Sequence, residues 1–115
     1  MILEVGSKVL VVNRRMFEND KERFFIGLVD NCENGLAQVT GHTWVKDNFN
    51  GAFVRKEDLR TKVVALASPG LIVYLLPSAI QYNQLRFEMT DNGQVWLRDG
   101  GPHFKMDLSE MCHSH

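Results

Sequence analysis

Residues 85–98 have the sequence LRFEMTDNGQVWLR, in which two segments of alternating apolar and polar residues flank an Asp-Asn-Gly turn. This pattern predicts a β-hairpin with one buried face. A two-residue turn would mix charged and apolar side chains on each face of the hairpin. A three-residue loop with Gly93 in the left-handed region instead pairs Phe87 with Leu97 and Met89 with Val95. Because this register makes one face apolar throughout, we predict the three-residue loop.

A third strand over His103–Leu108 extends the hairpin into a meander. A four-residue loop at Asp99–Pro102 predicts that Leu97 lies beside Phe104 and that Val95 lies beside Met106. The predicted inner face consists of apolar side chains: Leu85, Phe87, Met89, Val95, Leu97, Phe104, Met106 and Leu108. The predicted outer face is mostly charged or polar: Arg86, Glu88, Gln94, Trp96, Arg98, His103, Lys105 and Asp107. Trp96 is the exception on that face, because a tryptophan among charges is usually covered by something.

The rest of the chain also favours strands. It contains 12 Val, 4 Ile, 4 Thr and 11 aromatic residues against only 5 Ala. Short apolar runs recur between turn signals, and they predict nine strands: Lys8–Asn13, Arg23–Asp30, Leu36–Val45, Ala52–Arg55, Lys62–Ala67, Leu71–Leu76, Leu85–Thr90, Gln94–Arg98 and His103–Leu108. Helix is expected only in short pieces at Arg14–Lys21, Lys56–Leu59 and Pro77–Asn83. The predicted fold is therefore mostly β, a single domain over residues 1–115 that forms a small barrel or sandwich of about eight or nine short antiparallel strands.

The second predicted hairpin centres on Glu33-Asn34-Gly35. The same three-residue loop pairs Phe24 with Trp44, Val29 with Val39 and Gly27 with Gly41. Two glycines opposite one another leave a thin spot where a sheet can coil tightly, as a small barrel requires.

Composition bounds the class of partner and the compartment. With 13 basic and 14 acidic residues the formal net charge is −1, so no global field attracts nucleic acid or an anionic membrane. Cys32 and Cys112 are too few for a disulfide scaffold, which predicts a reducing, cytoplasmic compartment. The uncharged stretch between Lys62 and Arg86 is interrupted by Ser68-Pro69-Gly70 and by Pro77, so it predicts two strands around a turn and no membrane partner.

Residues 5–60 resemble the opening of a small SH3-like barrel. The resemblance is carried by Val5-Gly6-Ser7-Lys8-Val9-Leu10-Val11, by Phe25-Ile26-Gly27-Leu28-Val29, and by Phe53-Val54-Arg55-Lys56-Glu57-Asp58-Leu59 as a closing strand and turn. It implies a barrel fold without fixing a function, since such barrels bind peptides or nucleic acids. In size and general character the whole chain also resembles the short orphan proteins of bacterial integron gene cassettes. That resemblance implies a bacterial, cytoplasmic accessory protein, often an oligomer.

No strong catalytic or cofactor motif is present: the sequence lacks G-x-G-x-x-G, G-x-x-x-x-G-K-[ST], G-x-S-x-G and H-E-x-x-H. We therefore predict no catalytic residues, no cofactor and no metal site. The tail Cys112-His113-Ser114-His115 offers a thiol and two imidazoles, but a terminal segment without supporting residues holds a metal weakly. Basic clusters at Arg14-Arg15 and at Arg55, Lys56, Arg60 and Lys62 are interleaved with acidic residues, which predicts a mixed-charge surface rather than a nucleic-acid site.

Three functions follow from these observations. The leading hypothesis is a non-catalytic binding or interaction module that uses an exposed surface with Trp96, Arg86, Arg98 and Lys105. The second is a small-molecule binder or enzyme with a site in the barrel mouth, using His42, Trp44 or His103; the alternative for His42 and Trp44 is a hydrogen-bonded histidine beside a core aromatic. The third is an RNA- or DNA-binding barrel that uses the Arg14 and Arg55 clusters.

Self-association is also predicted. Leu71-Ile72-Val73-Tyr74-Leu75-Leu76 is apolar on both faces, whereas a strand with one solvated face should alternate. Together with the outward Trp96, this predicts a homodimer or higher oligomer built on the outer face and on one face of Leu71–Leu76. In the alternative, Pro77–Asn83 folds back over both surfaces and leaves a monomer.

Overall fold

A computed structural model describes residues 3–13, 23–46, 52–90, 94–101 and 104–108, and 62% of these residues lie in strands. The nine strands are β1 (Lys8–Asn13), β2 (Arg23–Glu33), β3 (Leu36–Lys46), β4 (Phe53–Arg55), β5 (Arg60–Ala65), β6 (Leu71–Leu76), β7 (Arg86–Met89), β8 (Val95–Arg98) and β9 (Lys105–Asp107). The mostly β fold is confirmed, and each predicted strand overlaps an observed one.

The strands form two antiparallel sheets. The larger has the order β4-β3-β2-β1-β6, and β5 pairs with the same edge of β3 as β4 does, further along the strand. The smaller has the order β7-β8-β9, which confirms the C-terminal meander. Five of the eight pairs of consecutive strands are therefore hydrogen-bonded neighbours, and β6 instead returns to pair with β1.

The meander has the predicted register in its first hairpin but not in its second. Phe87 pairs with Leu97 and Met89 with Val95, as predicted. The prediction for β9 was wrong by two residues, because Leu97 pairs with Met106 instead of Phe104. A two-residue slip leaves every side chain on its predicted face, so the inner and outer faces survive the error. Residues 91–93, with the predicted left-handed Gly93, and His103 lie outside the described residues.

The slip has a cause in the connection after β8. The Asp99 carboxylate accepts hydrogen bonds from the backbone N–H of Gly101 (2.9 Å) and of Gln81 (3.1 Å). These bonds bind the connection to the segment before β7, so the chain follows a longer path than a four-residue loop before β9 begins.

The hairpin of β2 and β3 has the predicted pairs, including Gly27 with Gly41. Its turn differs from the prediction. Glu33 pairs with Leu36 across a two-residue turn in which Asn34 and Gly35 have φ of 53° and 77°. Those angles are typical of a type I′ turn. A β-bulge between Val29 and Asn31 then adds one residue to β2, which restores the register predicted for the rest of the hairpin.

The first core lies between the two sheets. Its aromatic centre is Phe24, whose ring stacks on Phe87 at 4.7 Å between centroids and lies 5.3 Å from Phe53. Around these rings are buried aliphatic side chains from both sheets, among them Leu10, Val12, Ile26, Leu76, Val95, Leu97 and Leu108. This core fixes the small sheet on the large one, and it leaves the opposite face of β7-β8-β9 towards solvent.

A second core covers the other face of the large sheet. It contains Val9, Val11, Phe25, Val29, Ala37, Val39 and Val64, so strands as far apart as β1 and β5 contribute to one cluster. The sheet therefore curls around this core in a barrel-like way. Consecutive residues of β1 serve opposite cores, and its central four residues are all buried.

Strand β6 also contacts both cores. Leu71 and Val73 pack on the second core, whereas Tyr74 and Leu76 belong to the first. The chain itself thus contacts both faces of this apolar strand, although Leu75 is 54% exposed, and association of a second copy with β6 stays a prediction.

Residues 77–84, which we call the strap, connect the sheets. Ile80 is buried in the first core, and the Lys8 ammonium donates to the carbonyl oxygens of Ser78 and Ile80. The helix expected over Pro77–Asn83 is reduced to one 3-10 turn at Tyr82–Gln84, preceded by a separate turn in which the Ile80 N–H donates to the Pro77 carbonyl oxygen. The prediction of a helix at Lys56–Leu59 is wrong, and the helix predicted at Arg14–Lys21 lies outside the described residues. No helix in the described part of the chain is long and apolar enough to cross a bilayer.

Candidate functional site

The outer face of β7-β8-β9 brings together four of the predicted site residues. Cross-strand pairing places Arg86 beside Arg98 and Arg98 beside Lys105, which makes one row of three cations across the sheet. The next row consists of Glu88, Trp96 and Asp107. These six residues all belong to the predicted outer face, and from here on the name outer face refers to them alone. Paired residues on adjacent strands point to the same side, so both rows are presented together.

Glu88 links the two rows. Its carboxylate accepts a hydrogen bond from Arg86 Nε at 2.8 Å and one from Arg98 at 3.4 Å. The hydrogen bond from Arg86 lowers the pKa of Glu88 below its ordinary value, and the nearby charge of Arg98 lowers the pKa further. The ion pairs of Glu88 with Arg86 and Arg98 are solvent-exposed, so they orient the side chains more than they stabilise the fold.

Trp96 is half-buried, and the Lys105 ammonium lies 4.3 Å from the centre of its ring. This distance is within the range of a cation–π interaction. Beside it, Arg98 Nε is buried and has no hydrogen-bond partner among the described residues. Because Arg98 Nε is buried, a partner at this face can reach Arg98 only through its terminal amino groups.

His42 and Trp44 are placed away from this face. Trp44 is 8% exposed and packs edge-on against Phe87 in the first core. His42 Nδ1 lies 2.8 Å from the Tyr82 hydroxyl, which itself donates to the carbonyl oxygen of Ile26 at 2.9 Å. The hydroxyl proton is thus used, so His42 Nδ1 is the donor of the first bond. Neither residue lines the two cavities described below, and their geometry matches the alternative of a hydrogen-bonded histidine beside a core aromatic.

One of these cavities, of about 310 Å³, lies under the strap beside Asp99 and Phe104. Asp99 is 5% exposed, and both of its carboxylate oxygens accept backbone N–H groups. These bonds, from Gln81 and then from Gly101, lower the pKa of Asp99. Both oxygens of the carboxylate are therefore used in hydrogen bonds that hold the loop. The rest of the cavity wall is mainly apolar.

A second cavity, of about 270 Å³, is lined by four cations, of which three belong to a basic cluster predicted from the sequence. Lys56, Arg60 and Lys62 of the predicted cluster line it together with Arg23, which sequence analysis had not singled out. Arg55 is excluded, because it pairs with Trp44 and so points to the other face of the sheet. The signal for Arg23 was its position two residues before the buried Phe25, which places both side chains on one face.

Among the described residues, no group of three or more His, Cys, Asp and Glu side chains could hold a metal ion. The tail with Cys112, His113 and His115, and the basic pair Arg14-Arg15, lie outside those residues. No protein-family model, curated protein or solved structure matches the chain.

Proposed function

We propose that this protein is a non-catalytic binding module of β-barrel type that associates with a second copy of itself through the outer face. The observation that carries the proposal is the order of charges on that face. A row of three cations, Arg86, Arg98 and Lys105, runs parallel to a row in which Glu88 and Asp107 flank Trp96.

Such a face is complementary to itself. Consider two copies packed face to face about a two-fold axis that crosses the strands between the two rows. Arg86 then meets the second copy's Glu88, and Lys105 meets the second copy's Asp107. Arg98 meets the second copy's Trp96 at the centre, where a guanidinium can stack on the indole ring. Every cation thus faces an acid or an aromatic ring, as an isologous interface requires.

The size of the face sets the strength of the dimer. Three short strands bury less area than a standard stable interface, and exposed ion pairs add only about 0.2–1 kcal/mol each. Trp96 supplies the apolar centre, since tryptophan is enriched among the residues that dominate binding energy. We therefore expect a reversible dimer with a dissociation constant on the order of tens of micromolar.

The proposal leaves β6 out of the interface, because both of its faces contact the chain's own cores. It retains the cytoplasm as the compartment, supported by the small number of cysteines. It also retains the interpretation of the chain as a bacterial accessory protein, with residues 5–60 as an SH3-like half.

Sedimentation velocity over a range of concentrations tests the interface. The wild-type chain should shift from a 13.2 kDa species towards twice that mass as its concentration rises. Trp96→Lys should stay monomeric, because it removes the apolar centre and places a cation against the second copy's Arg98. Glu57→Lys, a charge reversal at an exposed residue outside the outer face, should dimerise like the wild type.

A charge exchange tests the orientation of the two copies. Lys105→Glu and Asp107→Lys should each weaken the dimer, because each brings like charges together across the axis. The double variant exchanges the two charges and should dimerise again. A monomer at all concentrations, or a dimer that Trp96→Lys leaves intact, would refute the proposed interface. A double variant no better than the single ones would refute the orientation.

A further inference from the structure

The large sheet carries a second feature, which is independent of the outer face. At one end of the second core, four cations from three parts of the chain surround the cavity of about 270 Å³. We call it the basic pocket; its lining residues are Asn13, Arg23, Phe24, Phe25, Thr43, Lys56, Arg60 and Lys62.

The topology explains why these cations meet. Lys62 pairs with Val39 and Arg60 with Gly41, so both side chains point to the face that carries the second core. Arg23 lies two residues before Phe25, which belongs to that core. Lys56 is held at the same end, because its backbone N–H donates to the carbonyl oxygen of Thr43 at 2.8 Å. The curl of the sheet brings the β2 and β5 cations around one opening, the mouth of the barrel-like half.

Within the described part of the chain, little neutralises the positive charge of the basic pocket. Among the described residues, the single ion pair made by its four cations joins Arg60 to Asp58 at 3.4 Å. Both partners are largely exposed, so that pair is weak. Burial lowers the pKa of Lys62, and repulsion by Arg23 and Arg60 lowers it further. The cations thus disfavour each other's charge, and an anion between them would relieve this.

Neither of the two described aromatic residues that line the pocket offers a surface for stacking a base, and Phe24 is only 2% exposed. Phe25 is 4% exposed, and the Lys62 ammonium lies over its ring at 4.6 Å from the centroid. Proteins that bind single-stranded nucleic acid stack successive bases on exposed aromatic rings. The pocket instead resembles a cluster of charge and hydrogen-bond donors, with the Thr43 hydroxyl and the Asn13 amide beside the cations.

We propose that the basic pocket binds a small multivalent oxyanion, the phosphate or pyrophosphate group of a small molecule. Guanidinium groups match the geometry of phosphate oxygens in two parallel hydrogen bonds, which Arg23 and Arg60 can supply. Lys56 and Lys62 add point charges to the same group. The Lys62 ammonium is positioned by a cation–π interaction with the ring of Phe25.

Thermal unfolding and titration calorimetry test the pocket with inorganic phosphate and with pyrophosphate, at an ionic strength held constant with sodium chloride. Pyrophosphate should raise the unfolding temperature and bind more tightly than phosphate, since it places more charge among the cations. Arg23→Met and Lys62→Met should each weaken pyrophosphate binding by about tenfold or more, the size expected for one charge-assisted hydrogen bond.

Arg55→Met is the matched control, because it removes one positive charge from the opposite face of the same sheet. It should bind pyrophosphate like the wild type. Lys62→Met should also raise the unfolding temperature without any anion, since it removes a cation that its neighbours repel. This second measurement distinguishes loss of the site from loss of the fold.

Three results would overturn the proposal. The first is no stabilisation by either anion beyond that of chloride. The second is equal pyrophosphate binding by Lys62→Met, Arg23→Met and Arg55→Met. The third is binding of a single-stranded oligonucleotide that exceeds pyrophosphate binding and grows with oligonucleotide length, which would assign the pocket to nucleic acid.

Discussion

Gly27 and Gly41 face each other across β2 and β3 with their backbones so close that neither position has room for a methyl group. A Cβ on Gly41 would overlap the carbonyl oxygen of Ile26, and one on Gly27 would overlap the carbonyl oxygen of Thr40. The obstacle in both cases is backbone, which cannot move aside as a flexible side chain can. This glycine pair lets the large sheet curl around the second core.

Gly41→Ala is therefore expected to destabilise the protein by about 3 kcal/mol or more, as overpacking against fixed backbone does. Gly70→Ala is the control, because a Cβ there meets no atom within 4 Å. It should change the free energy of unfolding by less than about 0.5 kcal/mol. Urea denaturation of both variants gives the comparison, and equal stabilities would show that the sheet does not depend on this close approach.

The Asp99 carboxylate predicts a dependence of stability on pH. Its pKa is lowered in the folded state from 3.8 by the backbone N–H groups of Gln81 and Gly101. On acidification the unfolded chain takes up this proton first, so the stabilisation is complete above about pH 5 and is lost as the pH falls through the folded pKa. Asp99→Asn should be less stable than the wild type at neutral pH, and the difference should shrink towards about pH 2.

Asp58→Asn is the control for Asp99, because the Asp58 side chain is exposed. Its stability at neutral pH should differ little from that of the wild type. A constant difference between Asp99→Asn and the wild type from neutral to acidic pH would contradict the role of this carboxylate.

The Tyr82 hydroxyl predicts that the stability of the protein depends on pH in the alkaline range. Its hydroxyl joins His42 to the carbonyl oxygen of Ile26, so Tyr82→Phe removes two hydrogen bonds at a half-buried site and should cost about 1–3 kcal/mol. Burial raises the pKa of Tyr82 above 10.0. The unfolded phenol ionises first, so the stability contributed by the neutral phenol is lost as the pH rises above about 10.

Ultraviolet absorbance of the phenolate measures this directly. The chain has two tyrosines, and the wild type should show a contribution at higher pH that Tyr82→Phe removes. An unchanged stability of the variant at neutral pH would mean that water replaces the hydroxyl without loss.

Alternation made most of the fold predictable, because side chains that alternate in polarity leave few choices of face. The β2–β3 register was nevertheless predicted from a wrong turn. The two-residue turn at Asn34 and Gly35 removes one residue from the predicted loop, and the bulge after Val29 adds one to β2. Two errors of one residue cancel, and a bulge leaves no clear trace in the sequence. The slip of β9 was not predictable either, since it depends on Asp99 binding the backbone of the strap.

The sites were predictable only where they lie within one sheet. Arg86, Trp96, Arg98 and Lys105 share a face by alternation alone, so sequence analysis could assemble the outer face. The basic pocket needs β2 and β5 to approach around a curl, and no local pattern places Arg23 near Lys62. His42 and Trp44 had the right parity for the first core, but their parity could not show that Tyr82 would reach across from the strap to bond His42.

The two-sided burial of β1 has a consequence for how the molecule unfolds. Val9 and Val11 belong to the second core, whereas Leu10 and Val12 belong to the first. Consecutive residues of this six-residue strand therefore lie in different cores. Pulling this strand out of the sheet exposes both interiors at the same moment. The two cores therefore melt as one cooperative transition, and a fluctuation that admits water to either of them through β1 is already a global event.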